Sequence, residues 1–141
     1  VAELNLIEKV IALEGVELFA GLSPEQLSRI ALIAQETEVP AGRQILPAPA
    51  SQGPAMYVIL DGAVEVSRDG QALVVARQNE VLGSWALFDA EPLAVEAKTI
   101  EAVKLLRIDR DDFYDLLSDH GEITAAIFAA LVKRFRKLVE A

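Results

Sequence analysis

Side chains able to do covalent or acid–base chemistry are few in this sequence and poorly spaced for it. His120 is the single histidine and cysteine is absent, so no second imidazole or thiolate exists to build a transition-metal site. Its position beside Gly121, between two helical patterns, suits a helix end better than catalysis. Ser23, Ser51, Ser67 and Ser118 have no nearby base and no G-x-S-x-G context, which leaves a serine hydrolase unsupported. Asp109, Asp111, Asp112 and Asp115 are spaced somewhat like a calcium loop, but Phe113 and Tyr114 interrupt that pattern. Acids there complement the dipole of a helix start. The basic run Lys133-Arg134-Phe135-Arg136-Lys137 falls in the last turns of a helical pattern, where cations meet the negative end of the helix. Phe135 lies on the apolar stripe, so these charges flank a packing face. Neither catalysis nor a metal site is expected.

Composition narrows the choice further. The chain has 141 residues, 52% apolar and 25% charged, enough to close one hydrophobic core and too apolar for a disordered chain. Its 13 basic and 22 acidic residues leave a net charge of −9, a field that repels polyanions. No nucleic-acid partner is therefore expected for this segment. No apolar run approaches the roughly 20 residues that span a bilayer, and residues 1–13 are interrupted by Glu3, Asn5, Glu8 and Lys9. Membrane insertion is not expected. The lack of cysteine rules out a disulfide framework and fits a reducing, cytoplasmic setting. The chain begins without Met, which reads as an excerpt of a longer protein.

The elements come in three blocks. Leu4, Ile7, Val10 and Ile11 recur at helical spacing and predict an amphipathic helix ending near Gly15. Ser23-Pro24-Glu25-Gln26 is a helix start with a capping box, and Leu27, Ile30, Ala31 and Ala34 form its buried stripe until Pro40 closes it. From there to Ile108 short apolar runs alternate with turn signals. Residues 56–60 and 63–67 flank Asp61-Gly62, a two-residue hairpin signal, and Asp69-Gly70 predicts a second turn before 71–76. Residues 98–100 and 103–108 supply the last strands. Residues 47–54 are Pro-rich and uncharged, an ordered turn between strands. Asp109 caps a helix over 110–117 with Phe113, Leu116 and Leu117 inward. A longer helix follows, with Ile123, Ile127, Leu131, Phe135 and Leu138 in step along it.

Four segments in this order carry a family resemblance. Leu18-Phe19-Ala20-Gly21-Leu22-Ser23 is similar to an opening LF-x-G-L-S turn, and Tyr57-Val58-Ile59-Leu60-Asp61-Gly62-Ala63-Val64-Glu65-Val66 to a Y-x-I-x-x-G-x-V-x-V strand pair. Leu105-Leu106-Arg107-Ile108-Asp109-Arg110-Asp111-Asp112-Phe113 is similar to a closing strand and helix start. Between the second and third lies residues 81–97, which resembles a phosphate-binding cassette. The family is that of cyclic-nucleotide-binding domains, the sensor modules of catabolite-activator-like regulators, cyclic-nucleotide-dependent kinases and gated channels. The resemblance covers nearly the whole chain. It implies a mainly β fold with flanking helices, a double-stranded β-helix or jelly-roll (β-roll). A single domain over 1–141 is expected, with N-terminal helices over 1–37, the β-roll over 38–108 with its cassette at 82–98, and C-terminal helices over 109–141.

The cassette departs from the family pattern at the two positions that grip the ligand. In the family it reads approximately F-G-E-L-A-L-L, a turn, then P-R-A-A-T-V; the Glu holds the ribose 2′-hydroxyl and the Arg pairs with the cyclic phosphate. Here those positions are Ser84 and Leu93. By resemblance the ligand-facing residues are Gly83, Ser84, Trp85, Ala86, Leu93, Ala94 and Val95. Glu91 and Glu96 add acid near the phosphate position. Cyclic AMP or cyclic GMP is therefore disfavoured, and no cofactor is expected. Three outcomes stay open: a cassette kept as packing with Leu93 and Trp85 filling the space, ordinary binding of cyclic AMP or cyclic GMP, or another ligand, neutral or apolar, in a reshaped β-roll pocket. The expected role is a non-enzymatic regulatory or interaction domain. The resemblance implies that the last helix transmits ligand state and pairs subunits, so Ile123, Ile127, Leu131, Phe135 and Leu138 are the expected surface for a homodimer or for docking on the rest of a larger parent protein.

Overall fold

A computed structural model of the chain describes residues 4–48, 51–87 and 95–140, with Trp85 and Ala86 described by their backbone alone. The chain divides into two compact units, one built from the helical ends up to Ile33 and from Asp112 onward, the other from Ala34–Asp111.

In the helical unit, local sequence sets each start. Helix α1 (Leu6–Glu14) opens on a reciprocal cap: Glu8 N–H donates to Asn5 Oδ1 at 2.8 Å and Asn5 N–H donates to Glu8 Oε1 at 3.2 Å. It stops at Gly15, followed by a 3-10 turn over Glu17–Phe19. Helix α2 (Pro24–Ile33) opens on the predicted box, with Gln26 N–H donating to Ser23 Oγ at 3.2 Å and Ser23 N–H to Gln26 Oε1 at 2.9 Å. Leu27, Ile30 and Ala31 are its buried stripe. Asp109 caps α3 (Arg110–Asp119), its Oδ1 accepting from Asp111 N–H at 2.8 Å, and α4 (Gly121–Glu140) is the longest helix. Phe19 and Phe113 are buried as a tilted ring pair with centroids 6.4 Å apart. In α1 the buried residue is Leu13, while Ile7 and Ile11 are exposed, so the predicted apolar stripe is not the buried face.

The other unit is a β-roll of two four-stranded antiparallel sheets. One has the order β1 (Ala34–Val39), β8 (Val103–Asp109), β3 (Ala55–Asp61), β6 (Val81–Leu82). The other runs β2 (Gln44–Leu46), β7 (Glu96–Thr99), β4 (Val64–Arg68), β5 (Gln71–Ala76). Strand side chains alternate, and the inward set closes a core of Ile45, Ala55, Tyr57, Ile59, Val64, Ala76, Leu82, Ala97, Val103 and Leu105. This is the expected mainly β jelly-roll with flanking helices.

Two local expectations are corrected. The sheet begins at Ala34, earlier than the boundary at 38, and Ala34 is a strand residue rather than the end of the α2 stripe. Residues Ala34 to Val39 pair in register with β8, from Ile108 back to Val103, and that ladder outweighs the helical spacing. Asp61-Gly62 is not a hairpin. β3 pairs with β8 and β6, β4 with β5 and β7, so the chain passes from one sheet to the other at Gly62. The true hairpin is β4–β5, turning through Asp69 (φ 52°) and Gly70 (φ 79°).

One buried hydroxyl ties the roll's corner. Thr99 Oγ1 donates to the Pro40 carbonyl at 2.7 Å and accepts from Arg43 N–H at 2.9 Å, with the residue only 1% exposed. Thr99→Val keeps the shape and strands both backbone groups. It is expected to cost about 2 kcal/mol in urea denaturation, whereas Thr99→Ser costs less because the hydroxyl remains.

Candidate functional site

The site starts where β6 ends. Leu82 pairs with Tyr57 on β3 and packs into the roll core. Gly83 follows with φ +73°, and a Cβ there would lie 3.1 Å from the Ala55 carbonyl oxygen and 4.0 Å from the Leu46 methyls. Only glycine meets both demands, the left-handed backbone and the close approach. Ser84–Leu87 then form a single 3-10 turn, with Ser84 half-buried and Leu87 fully buried as its anchor. Trp85 and Ala86 lie on that turn.

Phe88, Leu93 and Ala94 lie outside the described residues. Val95 is buried immediately before β7, whose Ala97 pairs with Leu46. Leu46 therefore stands between the two ends of the cassette: beside the Gly83 backbone and across from Ala97. Gly83, Ser84 and Val95 are thus placed around the same end of the roll, framed by Leu46 and Ala55.

The chemistry of these positions is neutral. Ser84 offers one hydroxyl, and Gly83 and Val95 offer backbone and hydrocarbon. A four-residue 3-10 turn has too few aligned peptides to act as a substantial dipole toward an anion.

A charged residue that the sequence reading passed over stands nearby. On β8 the inward row is Val103, Leu105 and then Arg107, which pairs with Tyr57 on one side and Gln35 on the other. Its side chain is only 15% exposed. Arg107 Nη2 donates to the Gly53 carbonyl at 3.0 Å and lies 3.4 Å from Asp109 Oδ2. Among the described residues its Nε is the one buried side-chain nitrogen or oxygen without a hydrogen bond. An unmet donor of this kind costs about 1–3 kcal/mol, and more on a charged group. Period-2 spacing behind Val103 and Leu105 was the signal that could have found it.

The predicted interface stripe is divided by the fold. Ile123 and Ile127 are buried within the helical unit, Ile127 at 2% exposure, and are not part of a free face. Leu131 is half-buried, while Phe135 and Leu138 are 66% and 78% exposed. Phe128, Val132 and Val139 are exposed beside them. Phe128, Val132, Phe135 and Val139 step by four, three and four residues, the spacing of a coiled-coil seam. This seam lies more than a third of a turn from the buried face, about 130° at 100° per residue. Arg134 on its flank reaches Glu17 at 3.9 Å, and Arg136 reaches Glu140 at 3.7 Å. No described helix is long and apolar enough to cross a membrane.

Comparison with known proteins agrees with this architecture. The family model described as the cyclic nucleotide-binding domain matches residues 36–120, more than half of the chain. A CRP-like cAMP-activated global transcriptional regulator of Mycobacterium tuberculosis is 26% identical over 136 residues, covering 93% of this chain and 59% of that protein. A cAMP-dependent protein kinase regulatory subunit of Aspergillus fumigatus is 33% identical over 113 residues, covering 79% of this chain and 27% of its own length. Among solved structures, the N-terminal domain of a transcriptional regulator from Streptomyces coelicolor superposes with a TM-score of 0.83 at 27% identity, covering 92% of this chain and 96% of that one. The chain thus spans about three-fifths of the first of these relatives and about a quarter of the second.

Proposed function

We propose a regulatory reading for this chain, which belongs to the cyclic nucleotide-binding domain family: it is a non-enzymatic interaction domain that does not hold cyclic AMP or cyclic GMP in the family's manner. The relatives are named for cAMP; by the resemblance of its cassette, this chain carries Ser84 and Leu93 where the family has its two charged anchors. The observation that carries the reading is a cassette without a cation: Ser84 stands on the turn after Gly83, Leu93 at the guanidinium position by resemblance, and the charges of residues 81–97 are all acidic. Each lost charge-assisted contact weakens a nucleotide by about 1.5–3 kcal/mol, or roughly ten- to a hundredfold. Two such losses move a micromolar ligand out of its working range. A cytoplasmic setting suits such a domain.

Calorimetry with cyclic AMP and cyclic GMP is expected to show no binding at micromolar concentration. Micromolar binding that Gly83→Val weakens would overturn the reading, because Val at φ +73° blocks the turn that any cassette ligand must approach.

The exposed seam on α4 supports the accompanying role in self-association. Valine at one seam position alternating with phenylalanine at the other is a two-stranded pattern, with β-branched residues at the position that favours pairs. A single aspartate at Phe135 would sit on the seam and leave the buried Ile123 and Ile127 untouched. Light scattering on the wild type is expected to give twice the mass of one chain, and Phe135→Asp is expected to give one. An unchanged mass in Phe135→Asp would remove the seam from consideration.

A further inference from the structure

We propose that His120 is a protonation-sensitive latch between α2 and the start of α4. This goes beyond the regulatory reading and does not rest on it. His120 is the single residue between α3, which ends at Asp119, and α4, which starts at Gly121. Its carbonyl accepts from Ile123 N–H at 3.1 Å and from Thr124 N–H at 3.3 Å, closing the first turn of α4. Thr124 Oγ1 donates to the Leu117 carbonyl at 3.1 Å and Ile123 is fully buried, so the joint itself is fixed. The ring projects from that frame between two opposite charges. Arg29 Nη1, on α2, lies 3.4 Å from its Nε2, and Glu122 Oε1, on α4, lies 3.5 Å from its Nδ1. The side chain is 23% exposed, open enough to exchange a proton with water and covered enough to keep both neighbours.

These two neighbours decide where the ring proton is. A guanidinium donates and never accepts, so the nitrogen facing Arg29 must offer its lone pair. The proton of the neutral ring then sits on Nδ1 and is donated toward the Glu122 carboxylate. A second proton has only Nε2 to go to, where it turns the acceptor into a donor and sets a cation against Arg29. The positive end of α4 adds to that repulsion. Glu122 holds the charged ring from its other side, so the ring stays with α4 and the contact that breaks is the one to α2. Two further carboxylates belong to the neighbouring elements, Asp119 at the end of α3 and Glu25 one turn before Arg29 on α2. Among the described residues, neither side chain bonds to the ring or to Arg29. Proton uptake therefore loosens the hold of α2 on the helix that carries the exposed seam, without unfolding the joint.

The test uses the one histidine of the intact chain, whose ring nitrogens are read without overlap in long-range proton–nitrogen NMR spectra. At about pH 8 the neutral ring is expected to carry its proton on Nδ1. A proton on Nε2 overturns the proposal, because Arg29 has no acceptor for it. From about pH 8 to about pH 5, the range over which histidine takes up charge in proteins, the Arg29 Nε–H signal is expected to move in step with the ring nitrogens. His120→Gln keeps an acceptor toward Arg29 and takes up no charge, so that movement is expected to be lost. Over the same range, amide exchange of α2 around Arg29, taken relative to His120→Gln at each pH, is expected to speed up about two- to tenfold, as the loss of one hydrogen bond implies. An Arg29 signal that does not follow the ring, or that moves equally in His120→Gln, leaves His120 as a plain helix end and overturns the proposal.

Discussion

Gly62→Ala is expected to lose about 3–5 kcal/mol of stability, a large share of the margin of about 5–15 kcal/mol of an ordinary domain. Two separate demands meet at this residue. Its φ of +100° lies where side chains are strained, and a Cβ would sit 2.5 Å from the Ala102 carbonyl oxygen and 2.8 Å from a Val103 methyl. These are backbone and core atoms of the turn into β8, which cannot step aside without breaking the β3–β8 ladder at Asp61 and Lys104. Gly70 separates the two causes. It has φ +79° and nothing within 4 Å of its Cβ position, so Gly70→Ala meets the backbone penalty without the clash. That control is expected to cost about 1 kcal/mol. Urea denaturation of the three proteins measures both. Equal losses at the two positions would show that Gly62 matters only as a left-handed residue and that its packing against residues 102 and 103 is unimportant.

Gly62 also shows what a sequence hides. Asp61-Gly62 and Asp69-Gly70 look alike locally, each a turn pair between apolar runs, and both predict a hairpin. Only the second is one. The difference lies in the partners of β3 and β4, which are distant in the chain and leave no local mark. The caps at Asn5, Ser23 and Asp109 are matters of three or four adjacent residues, and Ser23 and Asp109 were legible for that reason. Gly83 was legible because the cassette has a recognisable order. The interface stripe was half legible: the 3.6-residue period locates an apolar face, but α4 carries two, and only packing tells which is covered. Ile123 and Ile127 went inward, and the free face turned to Phe128, Val132 and Phe135. Arg107 was passed over because an arginine in a strand ordinarily faces water, and its inward turn follows only from the register with Tyr57.

Placing a carboxylate at Ser84 and a guanidinium at Leu93, the anchor positions that the family resemblance assigns, is expected to create nucleotide binding. The double variant Ser84→Glu, Leu93→Arg should bind cyclic AMP at least about a hundredfold more tightly than the wild type, as two charge-assisted contacts of about 1.5–3 kcal/mol each imply. The turn that would present the new carboxylate is already built: Gly83 has the necessary backbone and Leu87 fixes the 3-10 turn to the core. The single variants separate the roles. Leu93→Arg alone supplies the phosphate's counter-charge and should recover most of the gain. Ser84→Glu alone adds a negative charge beside an anion with no cation to balance it, and should do little or make binding worse. The pair is therefore non-additive in a definite direction, the carboxylate helping only when the guanidinium is present. Calorimetry with cyclic AMP on all four proteins reads the cycle. If the double variant stays silent while its thermal unfolding matches the wild type, the cassette has lost more than two side chains, and the space they would serve is filled by the protein itself.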